Sequence, residues 1–251
     1  MRRVSISGLA QAAGVLTIAF SLLTLLPSNF HALQLFSHFR LQYFVVAALL
    51  VVVFVVLHDR RYAVLLFATA FINGAHVLPW YFDEPYSTDG RALKLLQANV
   101  LSTNTDYASL SALLDSEQPD VVVLQEVSPA WAEEVRRLAS AWPHQVVEER
   151  EGNFGIALLS KYPLAATAVV ASEPLGFPTI VATLDVSGRR VQLVGTHPMI
   201  PLGERNYGAR NTQLATVGDL LRRGDGARVL VGDLNTSMWD LNYRTLAART
   251  G

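Results

Sequence analysis

Three stretches within the first 82 residues, 8–27, 41–57 and 62–82, contain no Asp, Glu, Lys or Arg. Each is close to the roughly 17–25 apolar residues that a membrane helix requires. A cleaved leader followed by buried core helices fits less well. No small-x-small site closes the first stretch, which runs out through Leu25-Leu26-Pro27-Ser28-Asn29. Residues 1–82 are therefore expected to be a transmembrane region of three helices. The 51% hydrophobic and 16% charged composition of the 251-residue chain reflects this region. Arg2 and Arg3 precede the first span, and Arg60 and Arg61 lie between the second and third. By the positive-inside rule both sites are cytoplasmic, and the chain after Phe82 lies on the periplasmic or extracellular side. Arg40 sits on that other side and runs against the rule, whereas Trp80, Tyr81 and Phe82 fit an interfacial aromatic belt.

Asn73 and His76 fall within the third span. With no carboxylate in the other spans, they read as hydrogen-bonding groups between helices rather than as a transport path. The absence of cysteine excludes disulfides and cysteine-bound metals, and a net charge of −1 gives no overall attraction to nucleic acid. Residues 83–91 form a linker that spans about 30 Å when fully extended.

From residue 92 to 251 the pattern changes to alternating strands and helices. Strands are expected at 93–99, 120–126, 154–160, 166–172, 178–186, 190–196 and 228–233, and helices at 106–117, 129–141, about 208–223 and 237–249. The runs at 120–126 and 228–233 are continuously apolar, as in strands covered on both faces. Short turns at 161–163 and 187–189 suggest antiparallel neighbours through 154–196. Asn104 or Thr105 suits the start of helix 106–117, which stops before Pro119.

Four of these strands end in polar side chains: Asn99, Glu126, His197, and the pair Asp233/Asn235. Mg²⁺ takes one or two protein carboxylates and leaves its other positions to water and phosphate, so Glu126 is the leading metal-ligand candidate. Taken alone it also fits a carboxylate capping the next helix. Asn99 alone fits a turn. In Gly232-Asp233-Leu234-Asn235 the period of two puts Asp233 and Asn235 on one side of an extended backbone, and Gly232 allows close approach. There a carboxylate can deprotonate water and an amide can donate to a phosphoryl oxygen. An Asx turn leading into a helix is the alternative. His197 can donate to phosphate or serve structurally. Arg205 and Arg210, in a loop over 201–211, are either phosphate contacts at the rim of a site or solvated side chains. Tyr207 is the only aromatic residue in that loop, which gives no base-stacking platform.

In this order, the Asn-ended first strand, Gln-Glu-Val at 125–127, Gly-x-x-x-Leu-Ser-Lys-x-Pro at 155–163, Thr-His-Pro at 196–198 and Gly-Asp-Leu-Asn at 232–235 resemble the endonuclease/exonuclease/phosphatase superfamily. That group includes DNase I-like nucleases, neutral sphingomyelinases and inositol-phosphate phosphatases. The resemblance covers 92–251 and implies a four-layer α/β sandwich that hydrolyses phosphate esters with Mg²⁺ or Mn²⁺. It implies Glu126 as direct metal ligand with Asn99 beside it, Asp233 activating water, Asn235 holding the scissile phosphate, and His197 in the active site. Asn99 and Arg210 would contact substrate. The layout is similar to bacterial envelope members anchored in the inner membrane.

The family also carries an Asp-His pair on a later strand. No His follows Asn235 here, and the chain reaches Gly251 only sixteen residues on. The expectation is a C-terminally truncated sandwich whose last helix ends at a Gly cap. Two functions follow: a membrane-tethered phosphoesterase acting on nucleic acid or a phospholipid-type substrate, with the bilayer as its other partner, or a non-catalytic envelope scaffold.

Overall fold

The computed structural model describes residues 5–26, 31–82 and 93–251. Arg2, Arg3, the Pro27-Ser28-Asn29 exit of the first stretch and the 83–91 linker lie outside the described residues. The chain forms two compact units. One contains the N-terminal helices together with Thr236–Arg244, and the other contains Thr88–Asn235 and Thr245–Gly251.

In the first unit, α1 (Ile6–Leu23) starts at Ser5, whose hydroxyl accepts from the Gly8 amide at 3.1 Å. A short α2 (His31–Leu35) runs through a tighter turn into α3 (Arg40–Val56). The last helix, α4 (Arg60–Val77), is capped by Asp59. Three helices, Ile6–Leu23, His31–Val56 and Arg60–Tyr81, are long and apolar enough to cross a membrane. Their inner faces meet at Ala47, Phe54, Leu66 and Ala70. Asn73 of α4 donates to Ser21 Oγ of α1 at 2.6 Å, as an interhelical role requires. His76 instead bonds the Ile72 carbonyl of its own helix at 2.9 Å.

The second unit is a sandwich of two four-stranded sheets. The first sheet has the order β1 (Leu95–Asn99), β2 (Val121–Gln125), β4 (Ile156–Ser160), β3 (His144–Glu148). The second runs β5 (Leu164–Ser172), β6 (Phe177–Val186), β7 (Arg189–Thr196), β8 (Ala227–Val231). β1 and β2 are parallel, as are β7 and β8; the other pairings are antiparallel. Alternation along β2 decides the layering. Val122 and Leu124 pack with Leu114 of α5 (Tyr107–Glu117) and with Trp131 and Val135 of α6 (Pro129–Arg137). Val121 and Val123 face the opposite way, onto Ile180, Leu184 and Leu193 of the second sheet. On that sheet's outer face Val194 meets Val217 and Leu221 of α7 (Gly203–Arg222). Helices, sheet, sheet and helix make four layers, followed by α8 (Leu241–Thr250), which ends at Gly251 with φ 95°.

Several expectations change. β3 is an edge strand of half-exposed residues whose sequence, His-Gln-Val-Val-Glu, carries too little apolar alternation to announce itself. The 161–163 turn does not join antiparallel neighbours; it carries the chain from β4 in one sheet to β5 in the other. Asp106, rather than Asn104 or Thr105, caps α5 by accepting from the Ser109 amide at 3.1 Å. The helix placed at 208–223 begins at Gly203, and the one placed at 237–249 begins at Leu241. The 187–189 turn is as expected, with Ser187 and Gly188 at φ 55° and 82° in a tight hairpin.

Leu158 lies wholly buried between the two sheets. Leu158→Ala should cost about 2–5 kcal/mol of sandwich stability through the cavity it leaves, measured by chemical denaturation. A loss near zero would contradict this layering.

Candidate active site

The two parallel pairs bring four strand ends to one edge of the sandwich. Asn99 closes β1 and lies opposite Gln125 in register. Glu126, the residue just beyond the end of β2, adopts φ 62°, a left-handed conformation that non-glycine residues take only where surrounding structure enforces it. It is 8% exposed. In the second sheet Gly195 pairs with Val231, so His197 and Asp233 emerge side by side beyond β7 and β8.

The Asn99 side chain joins the sheets. Its Nδ2 donates to Glu126 Oε1 at 2.8 Å and, more weakly, to Asp233 Oδ2 at 3.4 Å. Its Oδ1 accepts from the Leu101 amide at 3.0 Å, which fixes the amide's orientation. The Ser102 amide donates to Glu126 Oε2 at 3.3 Å. Each Glu126 oxygen thus has one protein donor and retains acceptor capacity.

β8 ends at Val231, so Asp233 and Asn235 do not continue an extended strand. They form the Asx turn instead: the Asn235 amide donates to Asp233 Oδ1 at 3.1 Å, with Asn235 at φ 48°. No helix follows directly. The approach expected at Gly232 is real, since a Cβ there would lie 1.9 Å from the Thr196 carbonyl oxygen. Asn235 Nδ2 donates to the Pro198 carbonyl at 2.9 Å and faces His197 Nε2 at 3.4 Å. His197 Nε2 in turn lies 3.9 Å from Asp233 Oδ2.

His197 is 4% exposed and sits against the Phe154 ring, itself stacked on Phe177 at 3.6 Å between centroids. Burial pulls the imidazole below its ordinary pKa, and this outweighs the opposing pull of Asp233, Glu126 and the Asn153 backbone. Beneath it, Thr196 Oγ1 contacts Thr179 Oγ1 at 2.9 Å and accepts from Gln213 Nε2 at 3.0 Å. Ser172 extends this buried network at 3.2 Å from Thr179.

Arg210 is not on a rim loop. It lies on α7, fully buried, with its guanidinium 5.1 Å from the Tyr207 ring centroid and Nη1 donating to the Asn235 carbonyl at 3.1 Å. Arg205, also on α7, is exposed. The edge thus gathers Asn99, Glu126, His197, Asp233 and Asn235, with Arg210 bracing Asn235 from below. Sequence reasoning missed Ser102 and Asn153, whose side chains pair at 2.6 Å beside Glu126 and His197. The only local signal was Asn153 inside Gly152-Asn153-Phe154-Gly155, where a Cβ on Gly155 would meet the Val127 carbonyl oxygen at 1.9 Å.

The donors suit a hard divalent cation. Glu126 offers a carboxylate with unused lone pairs and Asp233 stands across from it; the Asn99 atom between them is the donor Nδ2, while its Oδ1 accepts from the Leu101 amide. Among the described residues no three His, Cys, Asp or Glu side chains are placed so that they could together hold a metal ion, as a closed zinc centre requires.

A sequence model of the Endonuclease/Exonuclease/phosphatase family matches residues 96–251. Truncated Caenorhabditis elegans TDP2 superposes with TM-score 0.52 at 18% identity, over 59% of this chain and 64% of that one. The D. rerio TDP2 complex with a single-strand DNA product gives 0.54 at 18%, over 62% and 64%. Sphingomyelinase C from Streptomyces griseocarneus gives 0.55 at 21%, over 64% and 70%. At these identities the likeness is one of fold, and the chain spans 64% of the two TDP2 chains. No curated protein matches the sequence.

Because its pKa is lowered in the fold, His197 lets the unfolded state bind the extra proton first. Its contribution to stability should be complete above about pH 6.5, the unfolded value, and decline as pH falls to the lower folded value. Unfolding measured from pH 8 to 5 should show that decline, and His197→Gln should flatten it. An equally steep fall in the variant would refute the assignment.

Proposed function

The chain belongs to the Endonuclease/Exonuclease/phosphatase family, and we propose that it is a membrane-tethered, divalent-metal-dependent phosphoesterase working by attack of an activated water. The observation that carries this reading is Asn99, whose single amide holds Glu126 at 2.8 Å and Asp233 at 3.4 Å. In this reading Glu126 lies on the metal side of a reacting phosphate and Asp233 on the water side.

Glu126 would hold the metal directly, with Asn99 beside it, and Mg²⁺ or Mn²⁺ bound there would polarise a phosphoryl oxygen and stabilise a leaving oxygen. Asp233 orients a water and accepts its proton. Asn235 keeps one amide hydrogen on the Pro198 carbonyl at 2.9 Å; the other, directed at His197 over the weaker 3.4 Å contact, is the one free to turn to a phosphoryl oxygen. His197 is neutral by burial. An incoming phosphate adds negative charge beside it and favours protonation, which converts Nε2 from acceptor to donor as charge builds on the substrate. Arg210 positions Asn235 through its backbone carbonyl rather than meeting substrate.

Three helices apolar enough to span a bilayer support tethering through residues 1–82, and on the positive-inside reading the phosphoesterase domain, 92–251, lies on the periplasmic or extracellular face. A site so placed would meet phospholipid-type phosphoesters and extracellular nucleic acid alike.

The test is hydrolysis of bis(p-nitrophenyl) phosphate by the protein expressed from its full reading frame. Activity should require Mg²⁺ or Mn²⁺, and Asp233→Ala and Glu126→Ala should each lower kcat by about 10²–10⁴-fold. A loss below about tenfold in either variant would sink the mechanism. No hydrolysis with any divalent cation would instead favour a scaffold.

A further inference from the structure

The helical unit contains a second constellation of charge. At one end of the bundle, the close of α1, the start of α3 and the close of α4 surround a cavity of about 180 Å³. Its wall includes Thr24, Ser37, Arg40, His76 and Arg244, the last from the Thr236–Arg244 segment that belongs to this unit. Two guanidinium groups face one space, and no Asp or Glu is among the described residues lining it.

Arg40 is the anomaly. The residue is 3% exposed, and its Nη2 donates to the Thr24 carbonyl at 3.1 Å. Nε and Nη1 are buried without a hydrogen-bond partner among the described residues. A buried guanidinium left partly unsatisfied beside a second cation is costly, because both desolvation and like-charge repulsion oppose it. A cavity this small admits a compact anion rather than a large organic ligand. The group that best answers two converging guanidinium forks is a phosphate, with several acceptor oxygens and negative charge.

We propose that this cavity is a phosphate-binding site, distinct from the catalytic edge, with Arg40 and Arg244 as its cationic ligands and Ser37 and His76 as neighbouring polar groups. Its place suits a lipid headgroup. The apolar lengths of α1, α3 and α4 all run away from this end, and Trp80 and Tyr81 lie exposed just beyond α4. Arg40, which sits on the wrong side for the positive-inside rule, is then a ligand rather than a topological signal. The same pocket chemistry would also hold free inorganic phosphate.

The experiment uses the full protein in neutral detergent with a chelator present, so that metal-assisted binding at the catalytic edge is removed. Thermal unfolding is followed against inorganic phosphate, dihexanoyl phosphatidylglycerol, and dihexanoylglycerol, which has the same chains and no phosphate. The two phosphate-bearing probes should raise the midpoint and dihexanoylglycerol should not. A stronger response to the lipid identifies the headgroup source, and an equal response identifies free phosphate. Arg244→Gln, at the exposed side of the cavity, should weaken binding by about tenfold or more, as loss of a charge-assisted fork implies. Arg40→Gln should do the same where it folds. Equal stabilisation by dihexanoylglycerol, no response to either phosphate probe, or unchanged binding in Arg244→Gln would overturn the proposal.

Discussion

The site depends on one amide. Asn99 donates to Glu126 from its own sheet and to Asp233 from the other, so a single side chain sets the distance between two carboxylates that would repel each other unaided. That link exists because each sheet contributes one parallel pair whose carboxyl ends open at the same edge. The apolar interleaf of Val121, Val123, Leu158, Ile180 and Leu193 holds the sheets at the required spacing. Gly195 and Gly232 remove the side chains that would obstruct the approach; a Cβ on Gly195 would press on Val123 Cγ1 at 3.3 Å. A sheet edge built this way aims side chains with less freedom than loops could.

Below the edge lies a fully buried polar layer. Ser172, Thr179, Thr196 and Gln213 form one connected network across β5, β6, β7 and α7, which fixes the strand end that presents His197. Arg210 does the same for the Asn235 turn. Buried networks of this kind resist distortion because breaking one member leaves others unsatisfied in a low-dielectric interior. The dry surroundings, including the Phe154–Phe177 stack, also keep His197 neutral despite two nearby carboxylates. Placement and protonation state therefore have a common origin in burial.

The helical unit obeys a different economy of polar groups. Its cross-helix hydrogen bond from Asn73 to Ser21 is short and buried, and Thr17 and Thr69 return their hydroxyls to their own helices at 2.8 and 2.9 Å. Asn73 Oδ1 and Trp239 Nε1 also lack a hydrogen-bond partner among the described residues, but Arg40 Nε and Nη1 belong to a buried cation, which gives them more weight.

Short-range information sufficed for much of this protein. Charge-free runs reported three helices of spanning length, because the hydrophobic demand of such a helix is met residue by residue. Continuous or alternating apolar runs located seven strands. Polar residues just past those runs marked the catalytic edge, since a strand end is where a side chain leaves the core. The rest came from contacts between residues far apart in the chain. Nothing local says that β4 and β5 part into different sheets, or that the polar ribbon His144–Glu148 finds an edge to pair with. Gly203, Asn206 and Gly208 weaken the intrinsic helix preference around Arg210, and packing of α7 on the second sheet overrides it, turning an apparent rim arginine into a buried brace. The meeting of Asn99 with Asp233, 134 residues later, and of Ser102 with Asn153 depends on how two sheets stack. Stacking is a property of the whole folded core, and no single segment carries it.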